Sequence, residues 1–203
     1  MSEKIKDILI GLILGDGHLT EFSGNSRQSS LLMKSDDKNL AYLKWLHTQL
    51  APLGVSELKP KKNYHQHQFR TRWSQEIGKL RNLFYPNGKK IIPRNINSLL
   101  ARPLSLAIWY QDDGTLDCRS KYHYNALFAT HCFSFDDCVL LAKTLKTNFD
   151  LDVSVCRSHM RGKTRYRLYV KSKSMEKFIS LVKPFINPSF NYKIRKDNSQ
   201  QQR

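Results

Sequence analysis

Residues 9–17 read LIGLILGDG, and residues 106–114 read LAIWYQDDG. Each is an apolar run closed by an acid and a glycine. In the first, Ile5, Ile8, Leu9, Leu12 and Ile13 recur at helical spacing within an amphipathic stretch, while Gly11 and Gly15 share one face. Glycine inside a helix costs about 1 kcal/mol relative to alanine, so this pair points to close approach of a second helix. Gly17 is expected in the left-handed conformation that ends a helix. Asp16 then stands at the negative end of the helix dipole, where a carboxylate is electrostatically misplaced. Two such helices packed side by side would bring Asp16 and Asp113 together, two like charges at two negative ends. A divalent cation relieves that repulsion. Carboxylates with adjacent oxygens, here those of Gly15 and Asp112, are the hard ligands that magnesium prefers.

The two motifs head two copies of one longer pattern. After each comes a polar segment, then an apolar-faced helix. The first helix is expected over residues 36–50, with Leu40, Leu43, Leu46 and Leu50 on one face. The second is expected over residues 135–149, with Cys138, Leu141, Ala142, Leu145 and Phe149. Strand pairs follow: 55–61 and 67–73 around a turn at Asn63, then 151–159 and 164–170 around a turn at Arg161–Gly162. A last helix carries Ile77, Leu80 and Phe84 in one copy and Phe178, Ile179 and Val182 in the other, ending near Pro86 and Pro184. Each copy then supplies a lysine, Lys90 after Lys89 in the first and Lys193 in the second. So many elements in one order define a tandem repeat, with halves at 1–98 and 99–195 and a polar tail at 196–203. Residues 86–104, with three prolines, link the halves, and residues 21–30 read as a polar loop.

The chain of 203 residues carries 34 Lys and Arg against 17 Asp and Glu, a net charge of +17, which calls for a polyanionic partner. The charge is not confined to a tail, since residues 1–98 hold 16 basic against 8 acidic residues and residues 99–203 hold 18 against 9. A duplex gripped evenly by both halves would require this. No apolar run approaches the roughly 20 residues of a membrane span, and the N-terminus resembles neither a signal nor a transit peptide. Disorder is excluded by a composition that is 40% hydrophobic and 11% aromatic. Cys118, Cys132, Cys138 and Cys156 form no C-x-x-C pair and read as reduced intracellular thiols, in a bacterial cytoplasm or nucleoid or in an organelle. No zinc-ligand set closes around His65, His67, His131 or Cys132.

Alternation in the second strand pair sets Arg70 and Arg72 opposite Phe69 and Trp73. In the other half it sets Arg165, Arg167 and Lys171 opposite Tyr166, Leu168 and Val170. One side of each sheet is thus expected in the core and the other against DNA. Arginine there would pair with guanine edges and lysine with phosphates, and Lys59, Lys61 and Arg157 in the neighbouring strands would join them.

The two motifs resemble the LAGLIDADG signature, and residues 5–195 resemble the single-chain LAGLIDADG homing endonucleases. Gly11, Gly15, Asp16 and Gly17 match the signature's small and acidic positions. The second copy departs from it: Ile108, Trp109 and Tyr110 replace small or aliphatic positions, and Asp112 stands where a small residue is usual. The resemblance implies an α+β fold of two pseudo-symmetric αββαββα units. Its motif helices would form the interface, and two antiparallel sheets would make a saddle over DNA. It further implies Asp16 and Asp113 as metal-binding catalytic acids, Lys90 and Lys193 as lysines beside them, and Mg2+ or Mn2+ as cofactor. The implied activity is hydrolysis of one phosphodiester on each strand of a long pseudo-palindromic target, by a monomer that leaves short 3′ overhangs. An RNA maturase that assists splicing, or a non-catalytic DNA-binding protein on the same scaffold, are the alternatives.

Overall fold

The computed structural model describes residues 1–22, 26–61, 64–120, 123–160 and 162–195. The turn positions at Asn63 and Arg161, the centre of the 21–30 loop and the 196–203 tail fall outside them. The chain runs α1 (Glu3–Leu14), β1 (His18–Leu19), β2 (Leu31–Asp36), α2 (Leu40–Gln49), β3 (Lys59–Lys61), β4 (Gln66–Arg70) and α3 (Gln75–Phe84). A short helix, α4 (Ile96–Leu99), lies between the copies. The second is α5 (Pro103–Asp113), β5 (Gly114–Ser120), β6 (His123–Phe128), α6 (Phe135–Phe149), β7 (Val153–Met160), β8 (Lys163–Val170) and α7 (Met175–Val182). Both copies are αββαββα. The two antiparallel sheets have matching strand orders, β1-β2-β4-β3 and β5-β6-β8-β7. Among the described residues, no helix is long and apolar enough to cross a membrane.

Three of the helices begin where side chains satisfy free N–H groups. Ser2 caps α1 and Ser74 caps α3, and at α6 Ser134 and Asp137 form a reciprocal capping box. α1 and α5 pack side by side and parallel at the centre. Asp7 reaches Arg102 at one end, Gly11 faces Ile108, and Gly15 faces Asp112 at the other. Ile8–Ile10 and Leu12–Leu14 are buried on every side, as are Leu106–Gln111, so neither helix is amphipathic as the periodicity suggested. A helix held between a partner helix and two sheets has no solvent face to spend polar residues on.

The close approach is real and steric. A Cβ on Gly11 would lie 2.6 Å from Ile108 Cβ and 2.6 Å from the Ser105 carbonyl oxygen. Gly11→Ala is therefore expected to destabilise the fold by about 1–3 kcal/mol through overpacking, read as a lower urea midpoint at constant slope. Gly17 corrects the sequence expectation, because it does not adopt positive φ. Its side chain is excluded instead by the Leu12 carbonyl oxygen, 2.7 Å from where a Cβ would sit.

The polar segments after each motif hide strands. Leu31 and Met33 of β2, and Ala126 and Phe128 of β6, point into the core, but polar residues between them mask the alternation. Asp36 ends β2 rather than opening a helix: it pairs with Gln66 across the sheet, and α2 starts at Leu40 after a 3-10 turn at Asp37–Asn39. Pro60 confines β3 to the sheet edge, so only Lys59–Lys61 of the expected 55–61 strand is regular, with Val55 in an isolated bridge to Thr71. The chain leaves the ladder after Arg70, which leaves Trp73 exposed rather than on the buried face.

Candidate active site

The parallel packing of α1 and α5 sets their C-terminal ends side by side, and Asp16, Asp112 and Asp113 with them. Asp16 remains open to solvent. Partial desolvation raises its carboxyl above the ordinary range, with Lys193 and Lys90 opposing and Asp36 adding to the rise. Asp113, half-buried, is pushed up to about 7, first by burial and then by the Asp16 charge. Burial and the Asp16 charge also hold Asp112 well above the carboxylate range, against the hydrogen bond from the Asp16 N–H. Three acids whose ionised forms are each disfavoured thus meet at two negative helix ends.

Two lysines answer them. Lys90 Nζ donates to the Leu14 carbonyl at 3.4 Å and the Gly15 carbonyl at 3.1 Å. Lys193 Nζ donates to the Gln111 carbonyl at 2.6 Å. Each lysine therefore caps the last turn of one motif helix. Aromatic rings lie beneath both, Phe133 under Lys90 at 5.4 Å and Phe190 under Lys193 at 5.0 Å. Loss of hydration lowers both ammonium pKa values, and the acids pull the other way. The backbone around each lysine is pinned as well. Ile91 N–H donates to the Phe84 carbonyl and Ile92 N–H to the Asp137 carboxylate, while Tyr110 Oη donates to the Lys193 carbonyl at 2.8 Å.

Donors of this kind, carboxylates beside helix-terminal carbonyls, are all hard oxygens, and their raised pKa values are what a divalent cation would reverse. Among the described residues, no three His, Cys, Asp or Glu side chains converge as a self-contained metal cage. An ion bound to Asp16 and Asp113 would complete its shell with water and substrate oxygens, the habit of magnesium. Of the expected ligands, Asp112 and Gly15 also carry hydrogen bonds within the protein. Both oxygens of the Asp112 carboxylate are taken by protein donors, Oδ2 by the Asp16 N–H and Oδ1 by the Tyr42 hydroxyl, each at 3.1 Å. The Gly15 carbonyl is engaged by Lys90.

Register decides which basic residues share a surface. In the first sheet Leu32 opposes Arg70, Gln68 stands between Lys34 and Lys59, and Gln66 between Asp36 and Lys61. Arg70, Lys59 and Lys61 therefore lie on one face, together with Lys34, Gln66 and Gln68, which sequence reasoning missed because it did not read β2. In the second sheet Arg165 and Arg167 share a face with Ser158 and Cys156, and Tyr169 joins them. Arg157 does not. It opposes Tyr166 on the face that buries Leu168 and Val170, because it lies one residue out of phase with Cys156. Arg72 and Lys171 lie just past the ends of β4 and β8 and are exposed. All four cysteines are free thiols.

A duplicated scaffold with paired acids at its central helix ends and basic sheet faces on both halves has the build of a nucleic-acid-binding protein. The sequence profile described as the LAGLIDADG DNA endonuclease family matches residues 6–178. The chain is similar to the DNA endonuclease I-ChuI of Chlamydomonas applanata, at 26% identity over 98% of this chain and 97% of that one. It is 27% identical to the cytochrome b mRNA maturase bI2 of Saccharomyces cerevisiae, over 96% of this chain but 48% of the maturase. The solved structure of the homing endonuclease I-WcaI bound to its DNA recognition sequence matches with a TM-score of 0.82 at 26% identity, covering 97% of this chain and 88% of that one. The chain belongs to the LAGLIDADG DNA endonuclease family, and its fold is the single-chain form of that family.

Proposed function

We propose that this protein is a site-specific double-stranded DNA endonuclease that cuts one phosphodiester on each strand and leaves short 3′ overhangs. The single observation behind the reading is the junction of Asp16, Asp113, Lys90 and Lys193 at the adjacent ends of α1 and α5. Each half supplies one exposed or half-buried acid and one capped lysine, so two equivalent reactions can be served by one interface. Asp16 and Asp113 would hold Mg2+ or Mn2+, which when bound supplies Lewis-acid activation of water and charge stabilisation at the phosphate. Lys90 and Lys193, with ammonium pKa values lowered by burial, would orient the attacking waters and place positive charge beside the developing pentavalent phosphate. The flanking sheets would read a long, imperfectly symmetric target in the major groove and hold the scissile phosphates over the acids.

Incubating the protein with magnesium and a library of uninterrupted target DNA tests the reading directly. Recovery of double-strand breaks with short 3′ extensions supports it, and absence of any cleaved member refutes it. The yeast maturase relative keeps a second reading in view, an RNA-binding role in splicing. Splicing assistance without DNA cleavage in the paired assays would favour that one.

Base recognition is expected from the open sheet faces. Arg70→Ala or Arg165→Ala should weaken target binding by about 1–3 kcal/mol and relax sequence preference at one position if the side chain reads a base. Competition binding against single-base variants of the target measures both.

A further inference from the structure

We propose that Asp112 is a positioning residue that fixes the backbone of Asp16 from across the helix pair, with Tyr42 holding its carboxylate in place. The proposal rests on the endonuclease reading above. At the end of α1 the Gly15 N–H donates to the Gly11 carbonyl at 3.0 Å, and the Gly17 N–H donates to the Leu12 carbonyl at 2.7 Å. The N–H between them, that of Asp16, is taken by Asp112 Oδ2 at 3.1 Å, an acceptor belonging to the other motif helix. The carboxylate supplies the acceptor for an N–H that its flanking neighbours satisfy within their own helix.

Gly15 makes the arrangement possible. A Cβ there would lie 2.6 Å from both Asp112 Cβ and Asp112 Oδ2, so any larger residue would displace the carboxylate. Gly15 and Asp112 occupy equivalent places in the two motifs, each directly before the acid that precedes the closing glycine. The pair is complementary: an acid at both places would collide, and a small residue at both would leave Asp112's acceptor missing. Tyr42, 3% exposed, donates its hydroxyl to Oδ1 and stands edge-on to Phe190, with ring centres 5.1 Å apart. Phe190 is the ring beneath Lys193. The contact chain therefore runs from Asp16 through Asp112, Tyr42 and Phe190 to the lysine of the other half.

Asp113 has no matching dependence. It lies within α5, and its carbonyl accepts the Ala129 N–H of its own half at 3.0 Å. The device is one-sided, so losing it should disturb the reaction served by Asp16 and spare the one served by Asp113.

The test uses Asp112→Ala, Asp112→Asn and Tyr42→Phe in the full chain. Exchange of the Asp16 amide proton in the metal-free protein is followed by NMR, beside the ratio of nicked to linear DNA produced with Mg2+. Loss of one hydrogen bond to a carboxylate predicts about a tenfold faster Asp16 amide exchange in Asp112→Ala, with nicked duplex accumulating because one strand is cut slowly. Asp112→Asn keeps an acceptor oxygen and recovers both the protection and the second cut; Tyr42→Phe gives the same one-sided deficit in smaller measure. Unaltered amide exchange in Asp112→Ala overturns the proposal. So does an Asp112→Asn variant as defective as Asp112→Ala, which would make the carboxylate charge, as in a metal ligand, the operative property. Should the wild-type protein cut no DNA, the endonuclease reading fails while the amide exchange still decides the role of Asp112.

Discussion

Asp16→Asn and Asp113→Asn are each expected to abolish double-strand cleavage, with a loss of at least about 10²-fold, while target binding stays within a fewfold of wild type. The size follows from removing a preorganised charge at the reacting centre. Binding should survive because the sheets, not the acids, carry the basic faces, and because the substitution removes one of three crowded carboxylates. Both acids are destabilised as anions in the metal-free protein, so the neutral isostere is well tolerated by the fold. Metal-free gel shifts and magnesium-dependent cleavage on the same variant preparations separate the two effects. Wild-type-like cutting by both variants removes these residues from the mechanism and with them the present account of the site. Weakened binding equal to the loss of cutting would relocate them to recognition.

The contribution of Asp113 to the stability of the metal-free protein is expected to fall as pH rises from about 4 to about 7. Asp113 has a folded-state pKa of about 7 against an ordinary value of 3.8. Between those values the folded protein holds a proton that the unfolded chain has released, so unfolding is favoured by each step upward in pH. The contribution is intact below the ordinary value and is lost by the time pH passes the folded one. A shift of about three units corresponds to an upper limit near ~4 kcal/mol, and partial solvent access makes a loss on the order of 2 kcal/mol the realistic figure. Asp16 and Asp112 are shifted in the same direction and add to the trend. Saturating Mg2+ or Mn2+, if held by the ionised acids as proposed, is expected to offset the fall. Urea melts across this range, with chelator and with excess ion, read the prediction. Asp113→Asn should flatten the metal-free slope; a slope the same in that variant as in wild type would show that the acid is not its source.

Which features could be read before folding depends on how local their causes are. The motif glycines announce themselves because a helix tolerates them only for a steric reason, and the structure supplies it as Ile108 and Asp112. The helices of each copy follow from periodicity and capping residues such as Ser74 and Ser134. β2, β5 and β6 escaped, since their inward residues are separated by polar ones that face the open side of a sheet or, like Asp117 and Asn125, are buried in pairs. At Gly17 the expected left-handed cap gives way to a close contact with the Leu12 carbonyl of the same helix end.

The duplication, the basic charge in both halves and the position of one acid and one lysine in each copy were determined by the sequence alone. They depend only on residue type and spacing. The tertiary structure alone decided what each side chain does on arrival. Parallel packing of α1 and α5 made Asp112 an acceptor for the Asp16 N–H, and strand register set Arg157 opposite Tyr166 rather than in phase with Arg165. Hydrogen bonds and sheet faces are set by partners some 10 to 100 residues distant in the chain, and a single-residue change of phase reverses them.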